Sequence, residues 1–270
     1  MRAINNRWFK AGTALSILII FISMPCLYAQ RDADIMFKKT VIRALDLREK
    51  PNNGLFAKNN EITKWLVEGA VAGKIKMYRN DSLTHLQEIS ELKTKLIIPA
   101  TGPVIDPNNP ADTLDAYINF GADWRDNLVI SQEYLPSDLY QMEIKENVIF
   151  DKSRSQLKYQ VLALTIFIPA DHPANIKGIQ LPVASFSWEE VQKYFSIHPN
   201  MNYYNSYNEA AVMNLAEAID LRRFSSYIIK VGNARDAYLT DIYNDPYKGI
   251  MASQWKQTEL MEYEHNLWEF

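Results

Sequence analysis

The sequence predicts an α+β fold, mixed antiparallel strands with packed helices. Three observations carry that reading. Apolar and polar residues alternate along two runs within 140–168, and the polar stretch Asp151-Lys152-Ser153-Arg154-Ser155 between them supplies a turn, the pattern of a β-hairpin. Apolar residues recur at helical spacing in several other segments. The composition is globular: 47% of residues are hydrophobic, 23% are charged and only 9 of 270 are glycine.

Residues 1–29 read as a secretory signal peptide. Arg2, Arg7 and Lys10 form a positive front, Ala14 to Ile22 is an apolar run, and Ala29 is a small residue before polar Gln30, Arg31 and Asp32. The apolar run falls short of the ~20 residues a membrane span needs. The working chain is then residues 30–270, outside the cytoplasm. Cys26, the only cysteine, leaves with the signal, and Ser23-Met24-Pro25 ahead of it is a poor match to a lipid-attachment box. A chain without cysteine has no disulfide, so its stability rests on burial, which a chain of this length can supply. Losing the three bases of the signal leaves 26 bases against 32 acids, moving the net charge from -3 to -6. A mildly acidic chain without a basic stripe is a poor nucleic-acid binder.

The first element of the mature chain is strand-like, through Val41, Ile42, Leu45 and Leu47, and Pro51-Asn52-Asn53-Gly54 is a turn. Ile62, Trp65, Leu66, Gly69 and Ala70 fall on a helix capped by Asn59 or Asn60 and ended by Gly73, with a short strand over 75–78. Four prolines make 99–116 a long loop, a second-rank contact candidate. Tyr140, Met142 and Ile144, then Leu157, Tyr159 and Val161, are the strands of the hairpin. Ser187-Trp188-Glu189-Glu190 is a capping box opening a helix through Val191, Tyr194 and Phe195. Val212, Leu215, Ala216 and Ile219 form a helical face, Tyr227, Ile229 and Val231 a strand. From about Ser253 the chain is helical, with Leu260, Tyr263, Leu267 and Phe270 on one face. Arg43-Ala44-Leu45-Asp46-Leu47-Arg48 echoes Glu217-Ala218-Ile219-Asp220-Leu221-Arg222, which raises two weakly similar subdomains as an alternative; chance patterning explains six residues better.

A search for chemistry returns little. Gly69-Ala70-Val71-Ala72-Gly73-Lys74-Ile75 lacks one residue between its glycines for a phosphate loop and has Ile75 where a hydroxyl is needed; close helix packing explains the glycines better. The stretch from Asp106 to Asp112 has Ala111 and Tyr117 where a calcium loop needs Gly and Glu. His85, His172, His198 and His265 have no zinc spacing, and His265 pairs more simply with Glu269 on a helix. No nucleophile elbow is present. A carboxylate pair for glycoside hydrolysis is assembled by the fold, and Glu143 with Glu146 or Glu262 with Glu264 are the nearest candidates, although solvated faces explain them better. The sequence therefore assigns no catalytic residue, cofactor or metal.

The last ten residues, from Met261 to Phe270, have apolar side chains on both the Leu260/Tyr263/Leu267 face and the Met261/Trp268 face, more than one neighbour requires. A fully buried helix and a helix shared between its own domain and a partner both account for this, and Tyr, Trp and Met are enriched at interfaces.

Four stretches carry a resemblance to a family: 46–52 (Asp46 to Asn52), 142–151 (Met142 to Asp151), 251–255 (Met251 to Trp255) and the closing 261–270. In order, over most of 36–270, they resemble the gliding motility protein GldN, also called PorN, of the type IX secretion system. The Pro-rich loop is outside the likeness. The resemblance implies a GldN-like domain over 30–270 in a periplasmic, non-enzymatic assembly protein. It implies a ring formed with a GldK/PorK-like outer-membrane lipoprotein, which would hold the chain peripherally at the outer membrane, and contact with a GldM/PorM-like motor shaft. A ring subunit needs two complementary surfaces. Tyr203, Tyr204, Trp255, Tyr263, Trp268 and Phe270 are the interface candidates. The competing readings are a secreted hydrolase with paired carboxylates, which requires a cleft with convergent acids, and a small-ligand binder with one deep apolar pocket. A scaffold requires exposed apolar patches on opposite sides and no cleft with convergent acids.

Overall fold

The computed structural model describes residues 35–98, 104–106, 109–114, 133–152, 154, 156–175, 177–198, 200–206, 208, 212–243 and 245–266. The signal peptide, His265's partner Glu269, and Leu267, Trp268 and Phe270 lie outside them.

Strand-forming pattern concentrates in three long segments, and these make the middle of the main sheet. In chain order the strands are β1 (Ile35–Asp46), β2 (Phe56–Ala57), β3 (Asn60–Glu61), β4 (Met77–Tyr78), β5 (Val104–Asp106), β6 (Asn109–Leu114), β7 (Gln141–Asp151), β8 (Gln156–Ile168), β9 (Leu181–Ser187), β10 (Asn202–Tyr203), β11 (Met213–Asn214) and β12 (Tyr227–Val231). The helices are α1 (Ile62–Val71), α2 (Ile89–Leu96), α3 (Trp188–Ile197), α4 (Leu215–Asp220), α5 (Leu239–Tyr243) and α6 (Pro246–Asn266). The main sheet has the order β12-β1-β7-β8-β9-β4. Its pairings β1–β12, β7–β8, β8–β9 and β4–β9 are antiparallel. Along β1 and β7 the contacts Thr40–Asn147 and Leu47–Tyr140 run in opposite chain directions, so this pair is antiparallel too. The α+β class holds.

Two cores form on the sheet. The larger takes Leu45 and Leu47 from β1, Met142 and Ile144 from β7, and Leu164 and Ile166 from β8, and is closed by α1, α3 and α4 through Leu66, Phe195 and Leu215. The smaller joins Val41, Val148, Ile228, Leu239 and Leu260. Residues two apart on a strand share a face. Val41, Arg43 and Leu45 are therefore on one side of β1, and Ile144, Glu146 and Val148 on one side of β7. The two cores share that face, and Arg43 and Glu146 lie between them. At this level each neighbouring strand carries one extra residue. Lys145 pairs with Ala163 but Glu146 with Val161, leaving Leu162 as a bulge in β8. Ile42 pairs with Lys230 but Arg43 with Ile228, leaving Ile229 as a bulge in β12.

The helix over 62–71 buries Ile62, Leu66 and Ala70, and Gly73, at φ 68°, turns the chain out of it. Gly69 permits close packing: a Cβ there would stand 2.8 Å from the Tyr194 ring. Neither asparagine caps this helix. Its N-cap is Glu61, and Asn60 instead accepts from the Trp65 indole (2.6 Å) and donates to the Asn202 carbonyl (2.5 Å). Ser187 makes no side-chain cap to α3, because it is still the last residue of β9. The loop predicted over 99–116 contains the β5–β6 pair. The C-terminal helix starts at Pro246, seven residues before the expected point. Two subdomains are not formed: residues 36–270 are one compact unit, and the echoed segments fold as a strand in one case and mostly as α4 in the other.

Candidate interaction site

A cleft of about 850 Å³ opens between the 50–54 turn, the 203–206 segment, the 222–226 segment and residues 257–261 of α6. Its base is electrostatic. Glu146 is fully buried and accepts from Arg43 Nε at 2.5 Å and from Arg222 Nη1 at 2.6 Å. The Arg222 guanidinium lies 4.1 Å from the Tyr159 ring centre and 5.3 Å from that of Phe224, within cation–π range. Arg222 adopts φ 54° just past the end of α4, where glycine is usual. The backbone bonds Arg223 N→Ala218 O and Arg222 N→Ile219 O close the helix there. Buried Asn52 ties the two loops of the rim, donating to the Asp46 and Ser225 carbonyls and accepting from Ser225 N.

Tyr203 and Tyr204 line this cleft. The Tyr203 ring lies directly over Gly54, in space that a Cβ would fill, and Tyr204 N donates to the Gly54 carbonyl at 3.0 Å. That close approach requires glycine.

The other candidates belong to α6. Gly249, Ala252, Ser253 and Leu260 are buried on its inner side. Tyr263 also faces inward, its ring 4.6 Å from that of Phe37. It is thus a packing residue rather than a free contact. On the outer side Tyr247 is 70% exposed, Met251 55%, Trp255 60% and Met261 63%. Tyr243 joins Met251 and Trp255 around a shallow depression. The helix is apolar on both sides; of the two faces expected for the C-terminal stretch, Leu260 and Tyr263 lie inward and Met261 outward, while Leu267 and Trp268 lie outside the described residues. The structure separates Trp255 from Tyr203 and Tyr204, and Met261 is the residue that lies on both surfaces. Sequence reasoning missed Arg43 and Arg222 and read Glu146 only as half of a carboxylate pair, because the contacts that join the three span 103 and 76 residues.

The carboxylate pairs do not converge. Glu146 is held by two arginines at the base of the cleft, whereas Glu143 lines a different cavity beside Tyr238, Gly249 and Ser253. Burial pushes the Glu143 carboxyl up to about 7, the Asp81 carboxylate adding to the shift and Lys230 opposing it. Glu262 is exposed on α6, and half-buried Glu264 accepts from Leu157 N. Among the described residues no group of three His, Cys, Asp or Glu side chains is placed to hold a metal, and no helix is long and apolar enough to cross a membrane.

The sequence model of one family, described as gliding motility associated protein GldN, matches residues 30–269. The chain belongs to the GldN family. Membership makes it a component of gliding motility and type IX secretion, a structural family rather than a known enzyme family. The match begins one residue past Ala29 and takes in the 99–132 region as well as α6. No curated protein matches the chain. In the terms of this family the exposed helix face and the basic cleft are the two surfaces to be explained.

Proposed function

We propose that the protein is a non-enzymatic scaffold of the secretion and gliding machinery, and that the outer face of α6 is a docking surface for another component. One observation carries this: Tyr247, Met251, Trp255 and Met261 present large apolar side chains to solvent on a helix whose inner side already covers the small core. Exposed apolar side chains grouped on one side of a helix, as Tyr247, Met251 and Trp255 are, mark protein contacts. Supporting it, the cleft has no carboxylate among its described lining residues, so the arrangement a glycosidase needs is not assembled there. In this reading the signal over 1–29 sends the chain to the periplasm. There it joins a GldK/PorK-like lipoprotein of the outer membrane in a ring and meets a GldM/PorM-like shaft. A ring needs heterologous contacts, hence a second surface besides α6.

The test is capture of the GldK/PorK-like lipoprotein by a tagged chain from outer-membrane extract, followed by sizing. The unaltered chain elutes in a very large particle with the lipoprotein. Met251→Glu with Trp255→Glu elutes as a small species, with an unchanged melting temperature because both side chains are exposed. Undiminished capture by that variant would remove α6 as the docking surface, and a free unaltered chain would remove the scaffold itself.

A further inference from the structure

The chain is acidic overall, with a formal charge of -3, yet the 850 Å³ cleft is lined by Arg43, Lys50, Arg222 and Arg223 and by no acid among the described residues. The one carboxylate beneath it, Glu146, is shared by two guanidiniums, so one positive charge is left over. Lys50 and Arg223 pair with no carboxylate among the described residues. Four rings, Tyr159, Tyr203, Tyr204 and Phe224, stand among these cations. Arg222 occupies a left-handed backbone position, φ 54°, that non-glycine residues seldom enter. Buried Glu146 and the Tyr159 ring fix its guanidinium at the base. Strain retained at a cation that lines a cleft is a sign of a used position.

We propose that this cleft binds an acidic peptide segment of a partner protein, its carboxylates on Lys50, Arg222 and Arg223 and its apolar side chains on the tyrosines. The inference rests on the scaffold reading and adds to it the chemistry of a second contact. Clusters of arginine recognise acidic motifs by charge-assisted hydrogen bonds. Aromatic residues and arginine are the residue types that dominate interface energetics. The volume, about 850 Å³, is ample for side chains of an extended segment. Continuity favours a protein over a small anion: Met261 lines the cleft and is also exposed on α6, so the cleft adjoins the helix that carries the docking face.

The test uses the purified chain and two fluorescein-labelled peptides that share aromatic residues, one with four Asp and Glu, the other with Asn and Gln in their places. Fluorescence anisotropy should show saturable binding of the acidic peptide, at least tenfold tighter than the neutral one and weakened by salt. Lys50→Glu with Arg223→Glu should lose at least tenfold of it. Neither residue has an ion pair to break among the described residues, and Lys50→Gln with Arg223→Gln serves if the reversal does not fold. Equal binding of both peptides, no saturable binding, or full binding by the variant overturns the proposal. So does complete displacement by inorganic phosphate at millimolar concentration, which would make the cleft a small-anion site. Trp255→Glu should bind the acidic peptide normally. Its defect would be confined to lipoprotein capture, so failure of the docking face and failure of the cleft give different results.

Discussion

Glu146 sets the sharpest expectation for a single side chain. It is fully buried with two guanidiniums on it, and removing one member of a buried ion pair typically costs about 3–5 kcal/mol because the other is left uncompensated. Glu146→Gln should cost that much in urea unfolding, whereas Arg223→Gln should stay within about 0.5 kcal/mol. Glu143 gives a pH dependence of opposite sense to the usual carboxylate. Its folded value of about 7 lies above the ordinary 4.5, so the native state holds a proton that the unfolded chain has released between those values. Stability therefore falls as pH rises through that window, by at most about 3 kcal/mol for a shift of this size. Glu143→Gln should flatten the decline, and unfolding curves at pH 5 and pH 8 read it directly; an unaltered slope would mean the carboxyl is not desolvated. None of this was legible from the local sequence. Glu143 and Glu146 sit in an alternating run that reads as a half-wet strand, and what surrounds them is distant in sequence: Tyr238, Gly249 and Ser253 beside Glu143, Arg43 and Arg222 on Glu146.

Among the elements, the hairpin β7–β8 and helix α1 could be read because their pattern is local. Met142, Ile144, Val148 and their partners alternate, and Ile62, Leu66 and Ala70 repeat at four. β9 could not, because Val183, Ala184, Ser185 and Phe186 are all buried and a strand covered on both sides loses its alternation. α5 has five residues, too few for a helical period to show. α6 was legible in its double apolar character but not in its start. Its seat depends on one close crossing: a Cβ on Gly249 would stand 2.8 Å from Thr240 Cγ2 and 3.1 Å from Thr240 Cα. Gly249→Leu should force α6 away from α5, lowering the urea midpoint by the equivalent of about 1–3 kcal/mol. It should also weaken lipoprotein capture, although residue 249 faces inward. A wild-type midpoint would show that the two helices separate freely.

For the whole molecule, protection against hydrogen exchange should follow the sheet order. Amides of β7 and β8, paired on both sides and bordering the large core, should exchange by global unfolding, and those of β4 and β12 at the two edges sooner. Uniform exchange across the sheet would contradict a single cooperative centre between the two cores. The bulges at Leu162 and Ile229 have one more consequence, which concerns chain length. Removing a residue from a ladder ordinarily slides every pair beyond it and turns each side chain to the wrong face. At Leu162 the residues on either side, Val161 and Ala163, already oppose the consecutive Glu146 and Lys145. Loss of that one position would leave all the other pairs of the hairpin as they are. The two strands thus carry a spare unit at the height of the buried arginines, and shortening the chain by one residue there should be survivable where the same deletion a few positions away is not.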